Sequence, residues 1–209
     1  MISNVAVYGL EQSIRRSKFP MSTDVSTLTE EVTPRVNSLA GADKGSGHDC
    51  FLKGIIVQFD LTFTIKAWTE GERYNWFDII SSQSTMHRIT KFDLDKAYIN
   101  YVDSRIVDIM KEKVAEYNYL ASNKPSESAT KEEKTAWENM LAEKYLGILY
   151  SNPCGFKLTA GMTTNYLQLK TIYAQRKYHR LPEWKEFCKW IETLPHSEFI
   201  TGKKENTND

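Results

Sequence analysis

Apolar and polar residues alternate most regularly between residues 55 and 67. The apolar side of this alternation consists of Ile55, Val57, Phe59, Leu61, Phe63, Ile65 and Ala67. Apart from Ile56, the intervening positions are polar or charged. A period of two is typical of a strand with one buried face. We therefore expect a long strand that ends at Glu70 and Gly71, followed by a helix that begins within residues 72–80.

Two later segments carry apolar residues at helical spacing. The first covers residues 96–120 and the second about 131–150, and apolar residues recur three or four positions apart in both. Thr130 and Glu133 have the spacing of a capping box at the start of the second segment. Because the polar segment between them is short, the two helices are expected to form a hairpin within residues 95–150.

The remaining segments predict shorter elements, namely a strand over residues 2–8, helices over 11–19, 163–179 and 181–194, and a helix that begins at Pro34. Together these elements indicate an α+β fold in which helices flank a mixed sheet. We find no internal repeat and no linker, so we expect a single domain over residues 1–201. The charged tail at 202–209 is expected to be disordered.

Charge balance, cysteine spacing and the length of apolar runs argue against nucleic-acid-binding, zinc-binding and membrane-spanning proteins. The 27 Lys and Arg residues balance the 27 Asp and Glu residues, so no global charge favours nucleic acid or a membrane surface. The three cysteines are far apart and show no zinc-site spacing. No apolar run approaches the length of a membrane span. These features predict a soluble, cytoplasmic protein without a metal site.

A polar segment over residues 81–93 is the first candidate for chemistry. It contains hydroxyl, amide, imidazole and guanidinium groups that suit a phosphate or a base edge, on Ser81, Ser82, Gln83, Ser84, His87 and Arg88. Lys91 adds a further positive charge. The alternative is a surface loop whose Ser, Thr and Gln side chains cap neighbouring elements.

A basic segment over residues 175–180 is the second candidate. If the helix over 163–179 continues, Arg176 and Arg180 share one face and could bind a phosphate, and Gln175 and His179 share another. The alternative is an ordinary solvated helix face. No phosphate-binding glycine loop, hydrolase elbow or dinucleotide fingerprint is present.

Five segments, taken in order, resemble landmarks of the flavin-dependent thymidylate synthases, the family that methylates dUMP using FAD and a folate. They are PRVNSLAG, GHDCFLKG, SSQSTMHR, TTNYLQLKTIYAQRKYH and LPHSEFI, which lie between residues 34 and 200. The resemblance implies the fold of that family, a nucleotide site around residues 81–88, and assembly as a homo-oligomer with sites between subunits.

Several residues depart from the family pattern. The second histidine of the early motif, which contacts flavin in the family, corresponds to Gly54. The Arg-His-Arg triplet of the flavin signature becomes Ser81-Ser82-Gln83 in one register and Trp76-Phe77-Asp78 in another. FAD is therefore suggested by the resemblance, whereas its signature residues are missing. Near the C-terminus, Glu192 stands where the family has an arginine close to the pyrimidine.

Two functions follow as hypotheses. The first is a pyrimidine deoxynucleotide-binding protein in which Ser84, Arg88 and Arg176 hold the phosphate. Such a protein could also be a nucleotide-modifying enzyme. In that case a carboxylate at Glu192 would favour the amino group of dCMP over dUMP. The second is a non-catalytic protein that retains the fold and binds another protein or a nucleic acid. A small-molecule nucleotide and further copies of the chain are the expected partners.

Overall fold

The computed structural model describes residues 2–43 and 45–202. Its four strands are β1 (Ile2–Tyr8), β2 (Ile56–Thr64), β3 (Phe77–Ser82) and β4 (Lys157–Asn165). Its helices are α1 (Leu10–Ser17), α2 (Pro34–Ala40), α3 (Ile65–Gly71), α4 (Thr85–Arg88), α5 (Leu94–Ala97), α6 (Ser104–Ser122), α7 (Lys131–Ser151), α8 (Tyr166–Arg176), α9 (Pro182–Ile191) and α10 (Glu198–Thr201). The predicted α+β class is confirmed. The predicted tail lies outside the described residues from 203 onward.

The described residues form two compact units. The sheet unit comprises residues 2–63, 67–82 and 159–202, and the helical unit comprises residues 64–66 and 83–158. The expectation of one domain stays a prediction, and the two units are described separately below. Within the described residues, no helix has both the length and the apolar composition needed to cross a membrane.

The sheet has the strand order β1-β2-β4-β3. β1 pairs antiparallel with β2, and β3 pairs antiparallel with β4. The central β2–β4 pair also runs antiparallel, because the amide of Tyr166 donates to the Ile55 carbonyl at one end while Thr62 and Thr159 hydroxyls meet at the other. The sheet of the described strands is therefore antiparallel throughout, whereas a mixed sheet was predicted. The alternation predicted for β2 is confirmed, since Val57, Phe59, Leu61 and Phe63 are all buried.

The predicted long strand is too long at its C-terminal end. β2 ends at Thr64, and Ile65 begins the helix α3. The reason lies in the helical unit, where the amides of Ile65 and Lys66 donate to the carbonyls of Phe156 and Cys154 at 2.9 and 3.0 Å. These hydrogen bonds take the place of strand pairing at Ile65 and Lys66. The backbone therefore turns into α3, although the alternation of apolar and polar residues continues to Ala67.

The helix predicted to begin within residues 72–80 is wrong, because this segment contains β3. Phe77 pairs with Thr164 and Ser82 pairs with Ala160. Aromatic and β-branched residues favour a strand once a partner strand is present, and the partner β4 is 75 or more residues away along the chain.

The same pairing places Thr163 and Thr164 in β4. Asn165, rather than a threonine, caps α8 by accepting from the Gln168 amide at 2.9 Å.

The core of the sheet unit is rich in aromatic rings. α9 buries Trp184, Phe187, Cys188 and Ile191, as its helical spacing predicts. The Trp184 and Phe187 rings lie 4.9 and 5.9 Å from the Phe63 ring, in edge-on contact. Such contacts add to the apolar area that each ring buries, so α9 is firmly attached to the sheet.

The helical unit contains the predicted hairpin of α6 and α7. The capping box is confirmed, since Thr130 and Glu133 each accept from the other's backbone amide. The first helix starts later than predicted, at Ser104, because the carboxylate of Asp103 accepts from the Arg105 amide and caps it there. The core of this unit is formed by Ile89, Leu94, Ala97, Tyr98, Met110, Val114, Ile148 and Phe156.

Candidate functional site

A cavity of about 600 Å³ opens on the sheet unit. Three segments line it: the loop over residues 45–53, the connection over 73–76 that leads into β3, and one face of α8. The loop and the connection each supply an exposed cation, Lys53 and Arg73. Arg73 also forms an ion pair with Glu70 at 3.4 Å. The connection also supplies Trp76, whose side chain is 63% exposed. The cavity thus joins positive charge with a flat aromatic surface.

A buried ion pair holds the loop against α8. The Lys170 ammonium donates to the Asp49 carboxylate at 2.8 Å and to the carbonyls of Ala40 and Ala42 at 2.7 and 2.8 Å. The Asp49 and Lys170 side chains are 5% and 21% exposed, so this contact is largely shielded from solvent. Gly45 and Gly47 have φ angles of +87° and +79°, which side chains rarely tolerate. The loop therefore takes a path that depends on glycine.

The face of α8 that lines the cavity carries Gln168, Thr171 and Gln175. These positions are three and four residues apart, so they lie on one side of the helix. The opposite side is apolar, because Leu169, Ile172 and Tyr173 are buried. Gln175 accepts a hydrogen bond from the Tyr74 hydroxyl at 3.0 Å.

Arg176 is directed into the protein. Its guanidinium is 6% exposed and forms an ion pair with Glu70 at 3.3 Å. It also donates to the Glu70 carbonyl at 3.0 Å and to the Tyr74 hydroxyl at 2.7 Å, and it lies 4.9 Å from the Trp184 ring. A buried charge needs such compensation, so this arginine has protein partners where a phosphate was predicted.

His179 and Arg180 do not continue the face of α8, because the helix ends at Arg176. His179 lies in the following turn, where its Nε2 contacts the Arg176 guanidinium at 2.8 Å. Arg180 is exposed. The predicted pairing of Arg176 with Arg180 on one helical face is therefore wrong, since one side chain is buried and the other faces solvent.

The polar segment 81–88 is divided between the two units. Ser81 and Ser82 end the edge strand β3, where they pair with Gly161 and Ala160 after a register shift at Ile80. Gln83 and Ser84 belong to the helical unit, and Ser84 precedes the single turn of α4 that carries His87 and Arg88. The serines of β3, His87 and Arg88 are exposed, which agrees with a site and with a polar surface alike.

A shallow pocket of about 390 Å³ in the helical unit brings together Gln83, Ser84 and Arg88. Lys91, Phe92 and Asp93 complete its described lining. A hydrogen bond from Lys96 lowers the pKa of the Asp93 carboxyl below its usual value, so this carboxylate stays charged at neutral pH. It opposes the attraction that Arg88 and Lys91 offer to a phosphate.

Apart from Gln175, which belongs to the basic segment 175–180, the residues of the larger cavity were not identified from the sequence. Lys53 and Arg73 lie in separate segments, and nothing in their spacing brings them together. The one usable signal was on α8, where polar residues at 168, 171 and 175 interrupt an apolar helix. Among the described residues, no cluster of three or more His, Cys, Asp or Glu side chains could hold a metal ion.

Neither a protein-family model nor a curated protein matches the chain. Solved structures do match it. One is the flavin-dependent thymidylate synthase ThyX from Helicobacter pylori complexed with FAD and dUMP, with a TM-score of 0.60 at 15% identity and 96% coverage of both chains. A second structure of the Helicobacter pylori enzyme with FAD and dUMP has a TM-score of 0.60 at 14% identity, covering 96% of this chain and 97% of that one. The chain therefore has a fold similar to that of the flavin-dependent thymidylate synthase ThyX.

Proposed function

We propose that the protein binds a pyrimidine deoxynucleotide in the cavity of the sheet unit. The observation that carries this proposal is the combination, in one cavity, of Lys53 and Arg73 with the exposed ring of Trp76. Cationic side chains bind phosphate oxygens, and an aromatic face stacks on a base. A volume of about 600 Å³ lies within the range of small-molecule sites.

The fold likeness supports the same proposal, because the matching ThyX chains were solved with dUMP. Those chains also carry FAD, and the residues present here do not fit that group. In one register of the flavin signature, Phe77 is buried in the core and Asp78 is acidic. In the other register, Ser81, Ser82 and Gln83 are neutral and offer no cation to a pyrophosphate. The residues at these positions therefore do not support a flavin-dependent step.

The sequence-predicted residues form a second position for the same ligand class. Gln83, Ser84 and Arg88 line the pocket of the helical unit, and Lys91 could assist them with a phosphate. Five further residues remain predicted contacts of the nucleotide: Ser81, Ser82, His87, His179 and Arg180. Arg176 is instead proposed to position Tyr74.

A thermal-shift screen tests the function directly. The purified chain is heated with dUMP, dCMP, dTMP or FAD at millimolar concentration. We expect at least one pyrimidine nucleotide to raise the melting temperature, because a ligand that binds only the folded state stabilises it by an amount set by its concentration relative to Kd. Absence of any shift with all three nucleotides would remove the proposal. A shift with FAD alone would reverse our conclusion about flavin.

A second candidate function, binding of another protein, is favoured by the exposed apolar residues of the helical unit. Ile106 and Ile109 on α6, and Met140, Leu146 and Tyr150 on α7, are exposed. An apolar groove of about 420 Å³ also runs along α7, lined by Leu141, Tyr145, Leu146 and Leu149. Exposed apolar surfaces of this kind often mark interaction sites.

The partner expected first is another copy of the chain, as the resemblance to a homo-oligomeric family suggests. Light scattering after size-exclusion chromatography measures the mass against the 24.1 kDa of one chain. We expect an oligomer that Leu146→Lys shifts towards the monomer, with Lys134→Glu on the same helix as a control that keeps the assembly. A monomer at all concentrations would remove self-association from the proposal.

A further inference from the structure

Three side chains form a hydrogen-bond chain that runs from the core of the sheet unit to the cavity. The Arg176 Nε donates to the Tyr74 hydroxyl at 2.7 Å, and the Tyr74 hydroxyl donates to Gln175 Oε1 at 3.0 Å. Tyr74 is 7% exposed, so solvent does not replace these bonds. Glu70 anchors the chain at its inner end through its contacts with Arg176.

The direction of this chain is determined by its first member. A guanidinium has donors only and stays protonated at all ordinary pH values. The Tyr74 oxygen must therefore accept from Arg176, which leaves its single hydrogen for Gln175. This hydroxyl hydrogen can only be donated to the amide oxygen of Gln175. The amide nitrogen of Gln175 is therefore turned away from Tyr74.

Gln175 is exposed and lines the cavity. Among the contacts of the described residues, its amide nitrogen has no protein partner, so both N–H groups are available to a ligand. We infer that Gln175 is a specificity residue held in a donor-only orientation, and that the ligand atom opposite it is a hydrogen-bond acceptor oxygen. This inference rests on the proposed function and specifies the ligand class of the same cavity.

Arg176 both orients the amide N–H groups of Gln175 and makes them stronger hydrogen-bond donors. Hydrogen bonds in a chain polarise one another, and a charged donor at the buried end increases the effect. Turning the amide by half a rotation would leave the buried Tyr74 hydroxyl without an acceptor, which is costly. A side-chain amide without protein contacts can exchange the positions of its oxygen and nitrogen at little cost, whereas the amide of Gln175 cannot.

The acceptor oxygen can belong to the base or to the phosphate. On the base, a carbonyl at the pyrimidine 4-position would suit Gln175, and cytosine carries an amino group at that position. The earlier expectation of dCMP depended on Glu192, whose carboxylate instead accepts from the Tyr173 hydroxyl at 2.5 Å. Glu192 is not among the described residues that line the cavity.

Calorimetric titration of two matched variants tests the inference. Gln175→Glu replaces the donor with an acceptor, and Gln168→Glu places the same charge elsewhere on the same face of α8. We expect Gln175→Glu to weaken dUMP binding roughly ten-fold more than Gln168→Glu does. Equal losses in the two variants, or a smaller loss in Gln175→Glu, would overturn the inference.

Deoxyuridine, which lacks the phosphate, distinguishes the two sources of the oxygen. If the extra loss in Gln175→Glu persists with deoxyuridine, the acceptor is a base carbonyl. If it disappears while dUMP retains it, the acceptor is a phosphate oxygen. Both outcomes support a donor-only Gln175.

Neutron diffraction of deuterated wild-type crystals keeps the orientation testable even if no nucleotide binds. We expect the Tyr74 deuteron on the line to Gln175 Oε1 and both amide deuterons directed to the cavity. Amide deuterons directed at the Tyr74 oxygen would overturn the inference. Failure of all nucleotides to bind, with the deuterons as expected, would remove the proposed function and leave the orientation of Gln175 intact.

Discussion

Lys170 and Asp49 form a largely buried ion pair with a distance of 2.8 Å between the ammonium and the carboxylate. Other side chains cannot easily replace Lys170, because its ammonium also donates to the carbonyls of Ala40, the last residue of α2, and of Ala42. Lys170 therefore connects α8 to the C-terminal end of α2 and to Asp49 in the loop over residues 45–53. This loop forms one wall of the cavity, so a residue outside the cavity determines its shape.

Lys170→Met is expected to destabilise the protein by about 3 kcal/mol, since it leaves a buried carboxylate and two carbonyls without a donor. Urea unfolding followed by circular dichroism measures the change. Lys177→Met, at an exposed position three residues before Arg180, serves as the control and should change stability by less than about 0.5 kcal/mol. A loss below about 1 kcal/mol for Lys170→Met would show that the pair is not the main support of the loop.

Lys53→Ala and Arg73→Ala are each expected to weaken dUMP binding about ten-fold, because each removes a charge-assisted contact to phosphate. Arg88→Ala, in the pocket of the helical unit, should leave the affinity unchanged. Calorimetric titration at two salt concentrations measures both the affinity and its charge dependence. The opposite ranking, with Arg88→Ala the most damaging, would move the ligand to the residues first predicted around 81–88.

Burial raises the pKa of the Cys188 thiol to about 12. The folded protein therefore retains the thiol proton to higher pH than the unfolded chain, where the pKa is near 8.5. The stabilisation is fully present below about pH 8.5 and is lost as pH rises towards 12, by at most about 1.4 kcal/mol per pH unit. Urea unfolding at pH 8 and pH 10 should show a smaller pH-dependent loss in Cys188→Ala than in the wild type.

The same burial makes Cys188 unreactive in the folded state, whereas Cys50 and Cys154 are exposed. Titration with a thiol-reactive disulfide reagent at pH 8 should show two fast thiols and one that reacts only after denaturation. A Cys50→Ser, Cys154→Ser variant provides the control, because it should show no fast phase. Rapid labelling of that variant would mean that α9 opens readily.

Thr130→Ala should destabilise α7 by about 1 kcal/mol, because it removes one half of the capping box. Thr135→Ala, four residues into the same helix after Lys131, is the matched control, since it removes an equal side chain away from the cap. Thermal unfolding monitored at a helix-sensitive wavelength measures both. Equal effects of the two changes would indicate that the cap contributes nothing beyond helix propensity.

Local patterns predicted most of the helices correctly. The capping box at Thr130, the proline at the start of α2 and the apolar spacing of α9 depend on neighbours within a few residues, which the sequence displays directly. β3 was mistaken for a helix because residues 72–80 are ambiguous by themselves, and the antiparallel partner that makes them a strand follows the whole helical hairpin. The larger cavity was not predicted for a similar reason, since a high density of polar residues identified 81–88, whereas the larger cavity collects single residues from three distant segments.

The amino-acid sequence by itself determined the α+β class, the buried face of β2, the helical hairpin and the resemblance to a fold that the solved structures share. These properties follow from periodicity and short-range chemistry. Only the tertiary structure decided which side chains meet, because contacts such as Lys170 with Asp49 and Arg176 with Tyr74 join residues more than 100 positions apart. Burial then assigned their roles: it turned Arg176 from a predicted phosphate ligand into the charge that orients Tyr74 and, through it, Gln175.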